Sequence, residues 1–223
     1  MRRSVAKASV ITALNLLVFA IIGTALLALT YEMTRDNIAL SEEKEKMKRI
    51  SQIVPAGTYD NDIIRDTVQL APDALLGNDE TSIAYIGRLK NQPSIAVLQV
   101  IAPDGYSGRI SLIVSIGMDG KIGGVRVISH NETPGLGDYI DIAKNAWITV
   151  FDGKSLDDPE DDGWKVKKDG GAFDYMAGAT ITPRAVVKAV HKTLQYFAQH
   201  RDELFKPAPP VNKSNGQEQG VQK

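Results

Sequence analysis

The sequence predicts an α+β protein: a single N-terminal transmembrane helix, then a domain in which an antiparallel sheet is covered by helices. Three observations carry this reading. Residues 8–31 contain no charge and are dominated by Leu, Ile, Val, Ala and Phe. Residues 95–101, 110–116 and 122–128 are rich in branched side chains and are separated by turn signals at Pro103-Asp104-Gly105 and Asp119-Gly120, the pattern of an antiparallel meander. Beyond Pro183, the residues Val186, Val187, Val190, Leu194 and Phe197 recur at helical spacing, giving a long amphipathic helix. A sheet of this size needs a cover on one face, and this helix supplies one.

The first apolar run suits a bilayer, since about 20 helical residues rising 1.5 Å each span the roughly 30 Å hydrocarbon core. A cleavable signal peptide has a shorter apolar region of about 7–15 residues and a small-x-small cleavage site. Ala28-Leu29-Thr30 is a poor site of that kind, so an uncleaved anchor embedded in membrane lipid is expected. Arg2, Arg3 and Lys7 precede it, and positive flanks stay on the cytoplasmic side. The expected topology is therefore single-pass in a bacterial inner membrane, with a cytoplasmic N-terminus and a periplasmic main domain.

Residues 33–54 are densely charged, with Ile38, Met47, Ile50 and Val54 at roughly helical intervals, and read as a solvated helix that Pro55-Ala56-Gly57 ends. Residues 58–92 mix turn signals with short apolar pieces such as Ile83-Ala84-Tyr85-Ile86 and predict nothing sharper. In residues 139–151, Ile140, Ala143, Trp147 and Val150 fall at helical intervals, predicting a short amphipathic helix with Trp147 in the core. The acidic residues 157–163 partly imitate a calcium loop, but Pro159 and the neighbouring Lys165, Lys167 and Lys168 favour a solvated loop. The polar end of the chain, with Pro207-Ala208-Pro209-Pro210, is too poor in apolar residues to fold. The expected divisions are 1–31 for the cytoplasmic N-terminus and membrane helix, 32–57 for a juxtamembrane helical linker, 58–205 for the periplasmic domain and 206–223 for a disordered tail.

Composition excludes several classes. The 26 basic and 27 acidic residues leave a formal charge of −1, so no basic excess exists to drive nucleic-acid binding. Cysteine is absent, which removes disulfides, thiolate-held clusters and thiol nucleophiles. The three histidines, His130, His191 and His200, are too scattered to suggest a metal site, and the last two read as surface residues of the C-terminal helix. No nucleophile–base pair or nicotinamide fingerprint is visible, so no autonomous catalytic residue is expected.

Two segments remain. The run Asp174-Tyr175-Met176-Ala177-Gly178-Ala179-Thr180 is followed by Ile181-Thr182-Pro183-Arg184. Pro183 is favoured at a first helical position and Thr182 before it makes a good N-cap, so a helix is expected to start there. Gly178 and Ala179 remove bulk beside the Thr180 hydroxyl, and a helix N-terminus offers unpaired N–H groups to an anion such as a phosphate. The same spacing also describes an ordinary loop-to-helix junction. The second segment, His130-Asn131-Glu132-Thr133-Pro134-Gly135-Leu136-Gly137-Asp138, is a polar Gly- and Pro-containing loop carried on rigid strands, where binding sites tend to lie. Taken alone, it reads first as a long surface turn.

In this order, the two segments resemble the flavin-side loop and the flavinylation motif of the FMN-binding family, and the resemblance covers about residues 95–197. It implies that Thr180 receives FMN through a phosphoester and that Asp174 is the motif's leading acid. It further implies that Gly178, Ala179 and Thr182 lie at the phosphate, while His130, Glu132, Thr133, Gly135, Leu136 and Gly137 lie along the ring and ribityl chain. Ala177 departs from the family, which usually has Ser or Thr there. Thr180 has no sequence neighbour able to activate it, and the family relies on a separate metal-dependent flavin transferase that uses FAD as donor. One anchor, a compact external domain and one Thr-linked FMN most resemble the G subunits of Rnf-type complexes, which couple electron flow between ferredoxin and NAD to ion movement. The implied role is a one-flavin electron relay among the other membrane and peripheral subunits of such a complex. The C subunits of sodium-translocating NADH:quinone reductases are the alternative, and a non-redox anchored scaffold with an unoccupied motif is a reading from a different class.

Overall fold

A computed structural model describes residues 2–206, without the side chains of 2–9, 36, 37, 39, 40 and 42, so the expected tail lies from residue 207 onward outside the described residues. The chain divides into two compact units, one up to Met47 and one from Lys48. The first unit is helical, belonging to α1 (Arg2–Ser51). Among the described residues, Val10–Arg35 is the one stretch long and apolar enough to cross a membrane. Its Leu14, Phe19 and Leu27 are exposed, an arrangement costly in water and natural in lipid. This fits a single-pass anchor.

The second unit is built on a five-stranded antiparallel sheet in sequential order. The three expected strands are β3 (Gln92–Gly105), β4 (Gly108–Gly117) and β5 (Ile122–Ser129). Two more precede them, β1 (Thr67–Leu70) and β2 (Ser82–Leu89). The apolar piece Ile83-Ala84-Tyr85-Ile86 is the middle of β2, where Ala84, Tyr85 and Ile86 are all buried. A strand buried on both faces shows no alternation, which is why the sequence does not announce it. The preceding segment is fastened to β2 by polar groups: Asn61 accepts from the Arg88 N–H at 2.7 Å, and Arg88 meets Asp66 at 2.6 Å.

The β3–β4 hairpin also reaches further than expected. Pro103-Asp104 lies inside β3 at a register shift between Ala102 and Gly105, and the tip is Tyr106-Ser107. Proline is tolerated in a strand at such an irregularity. Helix α2 (Ile181–Leu204) lies on β3 and β4, burying Val186, Val187, Val190, Leu194 and Phe197 as its spacing predicts.

The sequence misplaces the start of α2. The N-cap is Thr180, so Thr182 is the second helical residue and Pro183 the third. Thr182 is unavailable as a cap because its hydroxyl is donated to Glu132. Pro183 is tolerated anywhere in the first turn, since the N–H it lacks would have no intrahelical partner.

Residues 139–151 form no α-helix. They make two 3-10 turns, Asp138–Ile140 and Ala146–Phe151. Asp141 accepts from the Ala143 N–H at 2.9 Å and Asn145 from the Trp147 N–H at 2.8 Å, local bonds that compete with the helical ladder.

Trp147 is half-buried and packs against the edge of the core; its ring meets Tyr139 and Phe151 edge-on at 5.4 and 5.6 Å. His191 is not a surface residue. It stacks on Trp164 at 5.1 Å, with Nε2 3.1 Å from Asp161, and burial lowers its pKa against the pull of that carboxylate. His200 is half-buried against Tyr196.

Phe151, Trp164 and Phe173 form the aromatic end of the core, and Phe151 is fully enclosed. Phe151→Ala is expected to cost about 3–5 kcal/mol, measured as a lowered denaturation midpoint. A loss below about 1 kcal/mol would show that this end of the core collapses to fill the space.

Candidate functional site

The tip of the β3–β4 hairpin, the loop after β5 and the start of α2 converge around a cavity of about 310 Å³. Its lining is Tyr106 from the hairpin, Glu132, Thr133, Leu136 and Gly137 from the loop, and Gly178 to Thr182 from the approach to the helix. Leu136, Tyr106 and Ile181 are exposed, so the mouth is apolar and open.

Three local structures build this geometry. The loop after β5 closes on itself: Thr133 O accepts from the N–H groups of Leu136 and Gly137 at 3.1 and 3.0 Å, and Asp138 Oδ1 accepts from Gly135 at 2.7 Å. Glu132, almost fully buried, joins the three walls. One of its oxygens accepts from the Ser107 N–H at 3.0 Å and the other from the Thr182 hydroxyl. Gly137 packs so closely there that a Cβ would lie 2.9 Å from both Glu132 Oε2 and Thr182 Oγ1.

The third local structure is the approach to α2. Gly178 has φ +88, a conformation that L side chains rarely adopt, and a Cβ built on it would meet nothing within 4 Å. Ala179 N–H then closes a turn onto Met176 O at 3.1 Å. Thr180 follows, half-buried, at the N-cap but with helical dihedrals, and its side chain caps no helix N–H. The first α2 bond runs from Arg184 N–H to Thr180 O, so the N–H groups of Ile181 and Thr182 have no partner in the helical ladder.

The structure thus gathers Thr180, Gly178, Ala179, Thr182, Glu132, Thr133, Leu136 and Gly137 from the residues singled out in the sequence. It does not bring His130, Gly135 or Asp174 to the cavity lining. His130 Nδ1 accepts from the Glu132 N–H at 3.1 Å and so shapes the loop from behind. Gly135, at φ +74, is a turn residue. Asp174 is exposed and paired with Lys167 at 2.6 Å.

Sequence reasoning did not assign a site role to Tyr106 or Ile181, nor to the two residues that brace the motif. Trp147 Nε1 donates to Asp174 O at 2.8 Å, and Tyr139 OH accepts from the Met176 N–H at 3.3 Å. For Tyr106 the available signal was an aromatic residue near the tip of a Gly-flanked hairpin.

Residues 105–195 match the FMN-binding domain and residues 1–53 match the RnfG N-terminal region. The chain is 49% identical over 195 residues to the G subunit of the ion-translocating oxidoreductase complex of Pseudomonas aeruginosa, covering 87% of this chain and 91% of that one. The chain belongs to that family of G subunits. The proteins of the same name from Aliivibrio fischeri and Shewanella oneidensis are 44% and 43% identical, over 86% and 89% of this chain and 92% and 93% of theirs. Of the two families that the sequence suggests, the G subunits are therefore the one supported. The FMN-binding match contains every cavity residue described above. The cavity fits such a group: small residues line the approach to one hydroxyl, and the lining residues Ile181 and Thr182 carry helix-start amides without ladder partners, the kind of donor that suits an anion.

Burial raises the Tyr139 phenol from 10.0 to about 12, although the Met176 N–H works against it. A raised phenol contributes stability that is complete below pH about 10 and is lost as pH rises to about 12. Stability should therefore fall more steeply over that window in wild type than in Tyr139→Phe, as followed by thermal unfolding. Parallel profiles would contradict the assigned burial.

Proposed function

We propose that this protein is a membrane-anchored electron-carrier subunit of an ion-translocating oxidoreductase complex, carrying FMN covalently linked to Thr180 through a phosphoester. The observation that supports it most is the contrast between the two threonines at the cavity. Thr182 is 1% exposed and its hydroxyl is committed to Glu132, whereas Thr180 is half-buried on the cavity wall and its hydroxyl caps nothing.

Retention is the physical purpose of the link, because a small cofactor outside the cytoplasm is lost when it dissociates. A flavin transferase would make it. The Thr180 hydroxyl gives up its proton and forms an O–P bond to the FMN phosphorus of FAD as the pyrophosphate bond breaks and AMP leaves. No electrons change hands in that reaction. In this reading the Ile181 and Thr182 amides and the small residues Gly178 and Ala179 hold the phosphate, and Leu136, Thr133 and Gly137 flank the remainder. The bound flavin supplies electron transfer, and Thr180 acts only as a tether.

Asp174, Tyr175 and Met176 form an exposed strip that Lys167, Trp147 and Tyr139 hold in place, and we assign Asp174 to recognition by the transferase. Gly135 and His130 shape the loop and are not themselves part of the cavity lining. Arg2, Arg3 and Lys7 before the apolar helix support a cytoplasmic N-terminus and a periplasmic domain in the bacterial inner membrane. The division into anchor (1–31), juxtamembrane helix (32–57) and FMN-binding domain (58–205) follows the same reading. The other subunits of the complex supply the carriers on either side.

Thr180→Val removes the hydroxyl and keeps the shape. Coexpressed with a flavin transferase, the variant should fold, show no flavin fluorescence on a denaturing gel and have unmodified intact mass, while wild type gains one FMN. A fluorescent Thr180→Val band would refute the attachment site.

A further inference from the structure

Glu132 is the only charged side chain that lines the cavity among the described residues. It is 4% exposed, and its carboxylate partners are neutral: the Ser107 N–H and the Thr182 hydroxyl. A buried charge bonded only to neutral donors projects its field through a poorly screened medium. Brace and field are separable roles. Holding the hairpin, loop and helix together requires two acceptor atoms and no charge.

Resting on the flavin reading of the cavity, we propose that Glu132 is a tuning residue. Its negative charge disfavours the addition of electrons to the flavin and so holds the site at a lower potential than its neutral lining would give. A flavin being reduced takes up electrons from the preceding carrier of the complex and gains negative charge until protons follow. A fixed carboxylate in the same cavity opposes that gain. Held at a lower potential, the flavin is a stronger donor to the next carrier.

Glu132→Gln separates the two roles. The side chain keeps its shape, its carbonyl oxygen accepts from Ser107 N–H, and its amide donates to Thr182 Oγ1, because a threonine hydroxyl accepts as well as donates. Full-length wild type and E132Q, each made with a flavin transferase and shown by intact mass to carry one FMN, are titrated spectroelectrochemically with mediators at neutral pH.

The midpoint of E132Q should lie positive of wild type, with the reduced-to-oxidised ratio at the wild-type midpoint raised by about tenfold or more, a shift that high salt diminishes little. Equal midpoints in two fully flavinylated proteins overturn the proposal and leave Glu132 as a brace alone. Wild type that takes up no FMN defeats the flavin reading, and this inference with it. Should E132Q fail to fold, redox-difference infrared spectra of wild type decide the matter. A carboxylate band displaced on flavin reduction supports the charge coupling, and a spectrum without one overturns it.

Discussion

At Glu132 a carboxylate out of contact with bulk water joins stretches of chain that are distant in sequence. Ser107 at the hairpin tip lies 25 residues away and Thr182 at the helix start lies 50 away. A buried carboxylate is tolerable only when its oxygens are engaged, and leaving one donor or acceptor unsatisfied costs about 1–3 kcal/mol. Neither the hairpin tip nor the first turn of α2 can therefore move independently of the loop. Small residues make the meeting possible: at Gly105 a Cβ would lie 2.8 Å from Glu132 Oε1, and at Gly137 it would lie 2.9 Å from Oε2.

The clamp determines what each threonine can do. By engaging Thr182 it fixes the second residue of α2 and buries its hydroxyl, while Thr180 is carried to the cavity wall by the turn at Gly178. The rest of the approach is held from outside. Trp147 and Tyr139 bind the backbone of Asp174 and Met176, and Arg184 grips Asp169 through two bonds of 2.6 and 2.8 Å. The motif is thus an ordered, exposed strip leading to a half-buried hydroxyl. That geometry suits modification by a partner enzyme followed by permanent occupation of the cavity.

Much of this was legible in the sequence where local signals and tertiary demands agree. The anchor, strands β3 to β5 and the buried face of α2 follow from hydropathy and turn residues, whereas the pairing of the loop after β5 with the Gly178 to Thr182 segment was implied only by the resemblance of the two segments to the FMN-binding family. The failures have specific physical causes. Strand β2 hides because it is buried on both faces. Asp141 and Asn145 turn a helical periodicity into two 3-10 turns. Thr182 looks like a cap and is not one because a residue 50 positions away takes its hydroxyl. The positions of His130 and Asp174 outside the cavity lining, and of Tyr106 within it, depend on how separate segments meet, which spacing along one segment does not encode.

The most direct test of the account is the location of the flavin on protein purified from native membranes. Trypsin cleavage after Lys168 and Arg184 releases a peptide containing both Thr180 and Thr182. Tandem mass spectrometry of that peptide should place one FMN on Thr180 and leave Thr182 unmodified. FMN on Thr182, or the peptide found only in unmodified form, would contradict the division of roles between the two hydroxyls and the electron-carrier reading built on it.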